Sequence, residues 1–215
     1  MKEKPSEWVA ISDLMAGVLA VVMLLLVVAV LQKSVSEAQF QQELLKAREK
    51  AEDPIKTVGL SLQSVLADNQ FSGLMTVDLV TNRLTLKDGV FERGSACLTE
   101  QAKLSVDAVR ELLAKFLVSN AAARIYVEGF TDDIPVKRPV TDYERFCTVY
   151  DDNYTLSAAR AREVRKALIG DLNNTSSKRI IVAGFGDSKP LEGSLPSDPR
   201  NRRVEVLFTL QGNEH

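Results

Sequence analysis

Asp13 is the residue whose type and setting most strongly imply chemistry. It stands immediately before Leu14 to Leu31, a run with no charged side chain. A carboxylate at such a boundary is costly unless it is neutral, paired, or facing a wet or protein-lined path. On a helix Ala16, Gly17 and Ala20 follow at three, four and seven positions and share its face. Small residues there let another helix approach closely, which places the carboxylate between helices and away from lipid. The alternative is a cap: Asp13, or Ser12 before it, closes the first turn of a helix beginning at Leu14. Residue chemistry alone leaves both readings open.

The remaining chemistry-bearing residues exclude more than they suggest. The single histidine is His215, and no Ser-His-Asp, Cys-His, metal-ligand or phosphate-loop pattern is present. Neither an enzyme nor a resident metal or cofactor is expected. Asp132 and Asp133 are adjacent, so in an extended segment they point to opposite sides and do not form an acid/base pair. The net charge of −2 gives no bulk attraction for nucleic acid.

The elements that must position these residues fall in three parts. Residues 1–32 read as an N-terminus and a transmembrane helix, since the apolar run from Trp8 to Leu31 is long enough to cross a ~30 Å hydrocarbon core and exceeds the apolar run of a cleavable signal. Lysines lie on both sides of the run and do not decide its orientation. Residues 33–53, rich in Glu, Gln, Lys and Ala, predict a weakly amphipathic helical stalk, with a membrane-lying plug as the alternative. Residues 54–215 form the globular part. There the patterns predict a helix over 55–67, a hairpin of 75–79 with 83–86, a helix over 98–118, a strand at 124–127, a helix over 156–169, and strands at 179–182 and 204–210. Two helices separating strands of one sheet give an α/β sandwich with helices on one face. The charged stretch 133–153 is a loop of functional length.

Two resemblances extend this reading. Trp8-Val9-Ala10-Ile11-Ser12-Asp13-Leu14-Met15-Ala16-Gly17 resembles the start of the transmembrane helix of the MotB family, the B subunits of ion-driven rotary stators. The resemblance implies that Asp13 carries the translocated ion, H+ or Na+. It also implies a multi-span A subunit as partner, in a ratio of five A to two B, with two copies of this chain side by side. The chain would lie in the bacterial inner membrane with a cytoplasmic N-terminus and a periplasmic C-terminal domain.

The second resemblance is to the OmpA-like peptidoglycan-binding domain. Phe91 to Ala96, Val127-Glu128-Gly129-Phe130-Thr131-Asp132, Asn153 to Ala161, Gly184-Phe185-Gly186 with Pro190-Leu191, and Asn201-Arg202-Arg203-Val204-Glu205 follow it in order. It implies that Asp132 and Arg160 bind diaminopimelate of the peptide stem, with Thr131, Asn153, Leu156 and Arg203 completing the pocket. The chemistry agrees: a zwitterion needs a carboxylate for its ammonium and a planar donor for its carboxylate. An internal Asp132–Arg160 salt bridge is the alternative. Phe130 stands where the family has histidine, and the loop after Asp132 is longer than is common. Both departures imply a changed ligand contact.

Cys97 and Cys147 are the only cysteines. In a periplasmic domain a bridge between them would fix the long loop, whereas two small buried thiols are the alternative. Together the resemblances imply the peptidoglycan-anchored B subunit of an ion-driven motor. The short chain, Phe130 and the cysteine-bearing loop are most similar to the B subunit of the Zorya anti-phage defence system. A flagellar stator and a passive membrane-to-wall anchor are the alternatives.

Overall fold

The computed structural model describes residues 15–33, 37, 39, 53–68 and 71–211. Asp13 and most of the expected stalk, 33–53, lie outside the described residues. The chain divides into two compact units, residues 1–52 and 53–215.

In the first unit, helix α1 spans Met15–Lys33. Its 19 residues give a length of ~28 Å, close to the thickness of a bilayer core. Its described side chains are all exposed within the unit, as a helix meant for lipid or partner helices requires. No other helix among the described residues is long and apolar enough to cross a membrane.

The second unit runs α2 (Pro54–Asp68), β1 (Met75–Asp78), β2 (Arg83–Lys87), α3 (Glu100–Ser119), β3 (Ala123–Phe130), α4 (Tyr143–Phe146), α5 (Asn153–Ile169), α6 (Asn174–Ser177), β4 (Ile180–Gly184) and β5 (Arg203–Leu210). The strands form one sheet in the order β1-β2-β5-β3-β4, parallel between β3 and β4 and antiparallel elsewhere. Alternation along each strand sorts the side chains. Leu84 and Leu86, Val204, Val206 and Phe208, and Ala123, Ile125 and Val127 face the helices and are fully buried with Val106, Val109 and Leu113 of α3 and Val164 and Leu168 of α5. Each such side chain stabilises the fold by roughly 1.5–3 kcal/mol. On the opposite face Arg83 donates to Glu128 and Glu205 at 2.6 and 2.8 Å, and Arg203 donates to Glu205 at 2.6 Å.

This is the expected α/β sandwich with helices on one face. Element ends differ where caps and pairings act. Helix α5 begins at Asn153, three residues before the hydrophobic pattern starts, because Asp152 Oδ1 accepts from Thr155 N at 2.6 Å. Strand β3 runs on to Phe130 because Gly129 and Phe130 still pair with Val204 and Arg203.

Gly129 and Gly184 set the distance between α5 and the sheet. A Cβ at Gly129 would overlap the backbone carbonyl of Ser157, and one at Gly184 would meet the Ala158 backbone at 2.7 Å. Glycine is therefore required for close approach, and neither contact involves a side chain that can swing away.

Residues 133–152 form an ordered strap. Val140 and Tyr150 make an antiparallel bridge, α4 is capped by Asp142, and Cys147 is disulfide-bonded to Cys97. The Phe146 carbonyl accepts from Ala96 N at 3.0 Å and Ser95 Oγ at 3.1 Å.

Two outcomes are expected in thermal unfolding of the full chain. Gly129→Ala should destabilise by about 1–3 kcal/mol, lowering Tm by several degrees, and an unchanged Tm would contradict the backbone contact. Cys147→Ser should cost up to ~4 kcal/mol by chain entropy, and a reductant should lower the wild-type Tm but not that of the variant.

Candidate functional site

A cavity of about 630 Å³ opens at the end of the sheet where β3 and α5 meet the strap. Strand β3 delivers Thr131 and Asp132 to its floor, the first turns of α5 bring Asn153, Leu156 and Arg160, and the strap supplies the outer wall from Ile134 to Tyr150. Five of the residues expected from the sequence thus converge: Asp132, Arg160, Thr131, Asn153 and Leu156.

Arg160 is the most constrained of them, only 3% exposed. Its Nε donates to the Ser95 carbonyl at 3.0 Å, and its guanidinium lies over the Phe91 ring at 5.1 Å. Burial lowers its pKa from the ordinary arginine value, and the Asp88 carboxylate, 3.9 Å from Nη1, opposes that shift. Nη1 is buried and has no hydrogen-bond partner. The hydroxyl Oγ1 of Thr131 is the other buried side-chain polar atom without one among the described residues. Two orphaned polar groups on one cavity are costly unless something completes them.

Asp132 does not pair with Arg160. Its Oδ2 accepts from Arg202 Nη1 at 2.7 Å, and Arg202 Nη2 donates to Asp88 Oδ2 at 2.9 Å. The bond to Asp88 is the first cause of a raised Arg202 pKa. The Asp132 side chain is itself buried, only 6% of the residue being exposed. Asn153 holds the wall in place: its Nδ2 donates to the carbonyls of Asp132 and Ile134, both at 3.1 Å. The Tyr150 hydroxyl donates to the Gly94 carbonyl at 2.6 Å, and burial raises its pKa.

Arg203 is a correction. It does not line the cavity but lies on the sheet face away from the helices, 7% exposed, bonded to Glu205 and stacked 4.1 Å over Phe130. Its neighbour Arg202 occupies the site instead. Phe130 is likewise absent from the cavity lining, stacking on Phe185 with centroids 5.3 Å apart. Period-two alternation carried the signal for both: with Val127 and Val204 facing the helices, Phe130 and Arg203 must face outward. Arg202 and Ser95 stand inside quoted motifs without a role of their own there, and Asp88 has no signal beyond its nearness to one. Cys97 and Cys147 are brought together at the back of the strap.

The cavity thus brings cationic guanidinium groups, a hydroxyl and carboxylates together, the set of charges that a small zwitterion needs. The described residues hold no group of three or more His, Cys, Asp or Glu side chains that could bind a metal.

Known proteins share this framework. The chain is 26% identical to Motility protein B of Bacillus subtilis over 166 residues, 75% of this chain and 58% of that protein. It spans 58% and 62% of the length of the first two curated relatives it matches. A putative MotB like protein from Desulfovibrio vulgaris shares the fold, with a TM-score of 0.54 at 22% identity over 80% of this chain and 99% of that one. The periplasmic domain of Helicobacter pylori MotB is 25% identical over 61% of this chain and 78% of that one, with a TM-score of 0.48. The pattern of the OmpA family matches residues 90–203, more than half of the chain and the span that carries Arg93, Asp132, Asn153, Arg160 and Arg202. By that match, the chain belongs to the OmpA family.

Proposed function

We propose that this chain is the peptidoglycan-anchored B subunit of an ion-driven rotary membrane motor. The single observation that carries the anchoring half is the buried Nη1 of Arg160, which has no hydrogen-bond partner, on the cavity that Asp132 also lines. That pair fits the zwitterionic end of diaminopimelate in a peptide stem, one group for each charge. The ring of Phe91 and the Ser95 carbonyl fix the guanidinium, so the ligand meets a donor already aimed. Likeness to Motility protein B supports the same reading.

The motor half rests on α1 and on Asp13 before it. The chain would cross the inner membrane once, with residues 53–215 in the periplasm. A single helix does not form an ion path, so a multi-span A subunit is required, arranged as five A around two B. An H+ or Na+ passing Asp13 would draw about 2.3 kcal/mol per charge from each 100 mV of potential. The anchored B chains would stay fixed while the A ring turns. Within this class we favour an anti-phage defence motor of the Zorya type, supported by the cysteine-tied strap. A flagellar stator is the second reading, favoured by the likeness to Motility protein B.

Two experiments test the halves separately. Arg160→Gln in the full chain should reduce peptidoglycan pull-down by roughly tenfold to a hundredfold, the loss of a charge-assisted hydrogen bond, with Tm measured alongside; full retention by the folded variant would remove the site. Asp13→Asn in the native operon should abolish phage protection or swimming while membrane level and wall binding stay intact, and the phenotype lost names the machine. If both phenotypes persist, the chain is a passive membrane-to-wall anchor.

A further inference from the structure

The charge of the cavity exceeds what a zwitterion calls for. Arg93, Lys137 and Arg138 line it together with Arg160 and Arg202, and the only acidic lining residues are Asp88 and Asp132. This surplus of cations belongs to a chain whose overall charge is −2. Arg202 already bridges the two carboxylates. Arg93, Lys137 and Arg138 are exposed and make no hydrogen bond or ion pair among the described residues. A bound zwitterion would satisfy Asp132 and Arg160 and add no net charge, leaving these three unanswered. Cations around one concavity with low-dielectric walls raise the local potential and draw in anions.

Placement separates this cluster from an ordinary solvated run. Lys137 and Arg138 sit on the strap, whose two ends are tied by the Val140–Tyr150 bridge, the disulfide and the Asn153 amide. Their backbone is therefore held against the same cavity that Arg160, Asp132 and Arg202 line. Charges on a fixed strap act on one place, where free surface lysines lose most of their effect to side-chain entropy.

We infer that Lys137 and Arg138 form an anion-binding subsite at the cavity rim that reads a second free carboxylate of the same stem peptide, making the protein selective for stems whose carboxylates are not amidated. The inference rests on the stem-peptide reading of the site. Its chemistry is specific: a glutamate joined through its side chain keeps a free α-carboxylate next to diaminopimelate, and the chain-terminal carboxylate is a second candidate. Amidation removes those charges and leaves the zwitterionic end untouched. Arg160 and Asp132 would then recognise what the stem is, and the rim would read its state of modification.

The test is titration calorimetry of the full chain in detergent micelles with two synthetic peptides. One is L-Ala-γ-D-Glu-meso-diaminopimelate; the other carries amides at the glutamate α-carboxylate and the chain terminus, with the zwitterionic end intact. At low salt the wild type should bind the free form about tenfold more tightly. Raising salt to about 1 M should shrink the preference. The double variant Lys137→Gln/Arg138→Gln should bind the amidated peptide as the wild type does and lose the preference. Equal affinities in the wild type, or a preference that survives in the double variant, overturn the inference. Failure of the wild type to bind either peptide overturns the stem reading itself, and the subsite with it.

Discussion

A guanidinium sealed inside the domain with one nitrogen unanswered is the constraint to which the rest of the structure is fitted. Burying a charge without full pairing costs several kcal/mol, and Arg160 recovers only part of that from the Ser95 carbonyl, the Phe91 ring and a distant Asp88. The position persists because its surroundings leave it no other. Helix α5 is pressed onto β3 and β4 by backbone contacts at Gly129 and Gly184, so the turn that carries Arg160 does not slide. Ser95 is held in turn by the Phe146 carbonyl of the strap. The domain keeps a donor without a hydrogen-bond partner in a dry place.

Arg202 solves the neighbouring problem. Asp88 ends up near the close of β2, Asp132 follows β3, and Arg202 precedes β5, so one side chain joins three segments distant in sequence. By engaging one oxygen of each carboxylate it neutralises part of their charge and fixes their orientation. The acidic and basic halves of the site are thereby kept apart: Asp132 is engaged by Arg202, and Arg160 keeps a nitrogen without a hydrogen bond. Had Asp132 and Arg160 paired with each other, the site would have closed on itself.

Much of this was legible in the residues. The alternation in β2 and β5 and the apolar stripe of α3 announce a sheet with helices on one face, and the motif order points to Asp132 and Arg160. The limits have physical causes. Asp152 extended α5 through a polar cap, which a hydrophobic pattern does not register. Arg202 and Arg203 are adjacent cations, and only the strand register decides which of them enters the site. Asp88 is a long-range partner with no local signature. The strap reads as a loop because its order comes from a bridge, a disulfide and side-chain bonds to remote carbonyls, none of which has a period.

The disulfide makes the cavity depend on its compartment. Cys97 and Cys147 close a ring across 50 residues that contains Thr131 and Asp132 of the floor and the outer wall from Ile134 to Val140. Thiols stay reduced in the cytosol and pair in an oxidising compartment. The covalent frame of the cavity is therefore completed by compartment as well as by sequence: the same two cysteines leave the strap unclosed in a reducing environment and tie it in an oxidising one.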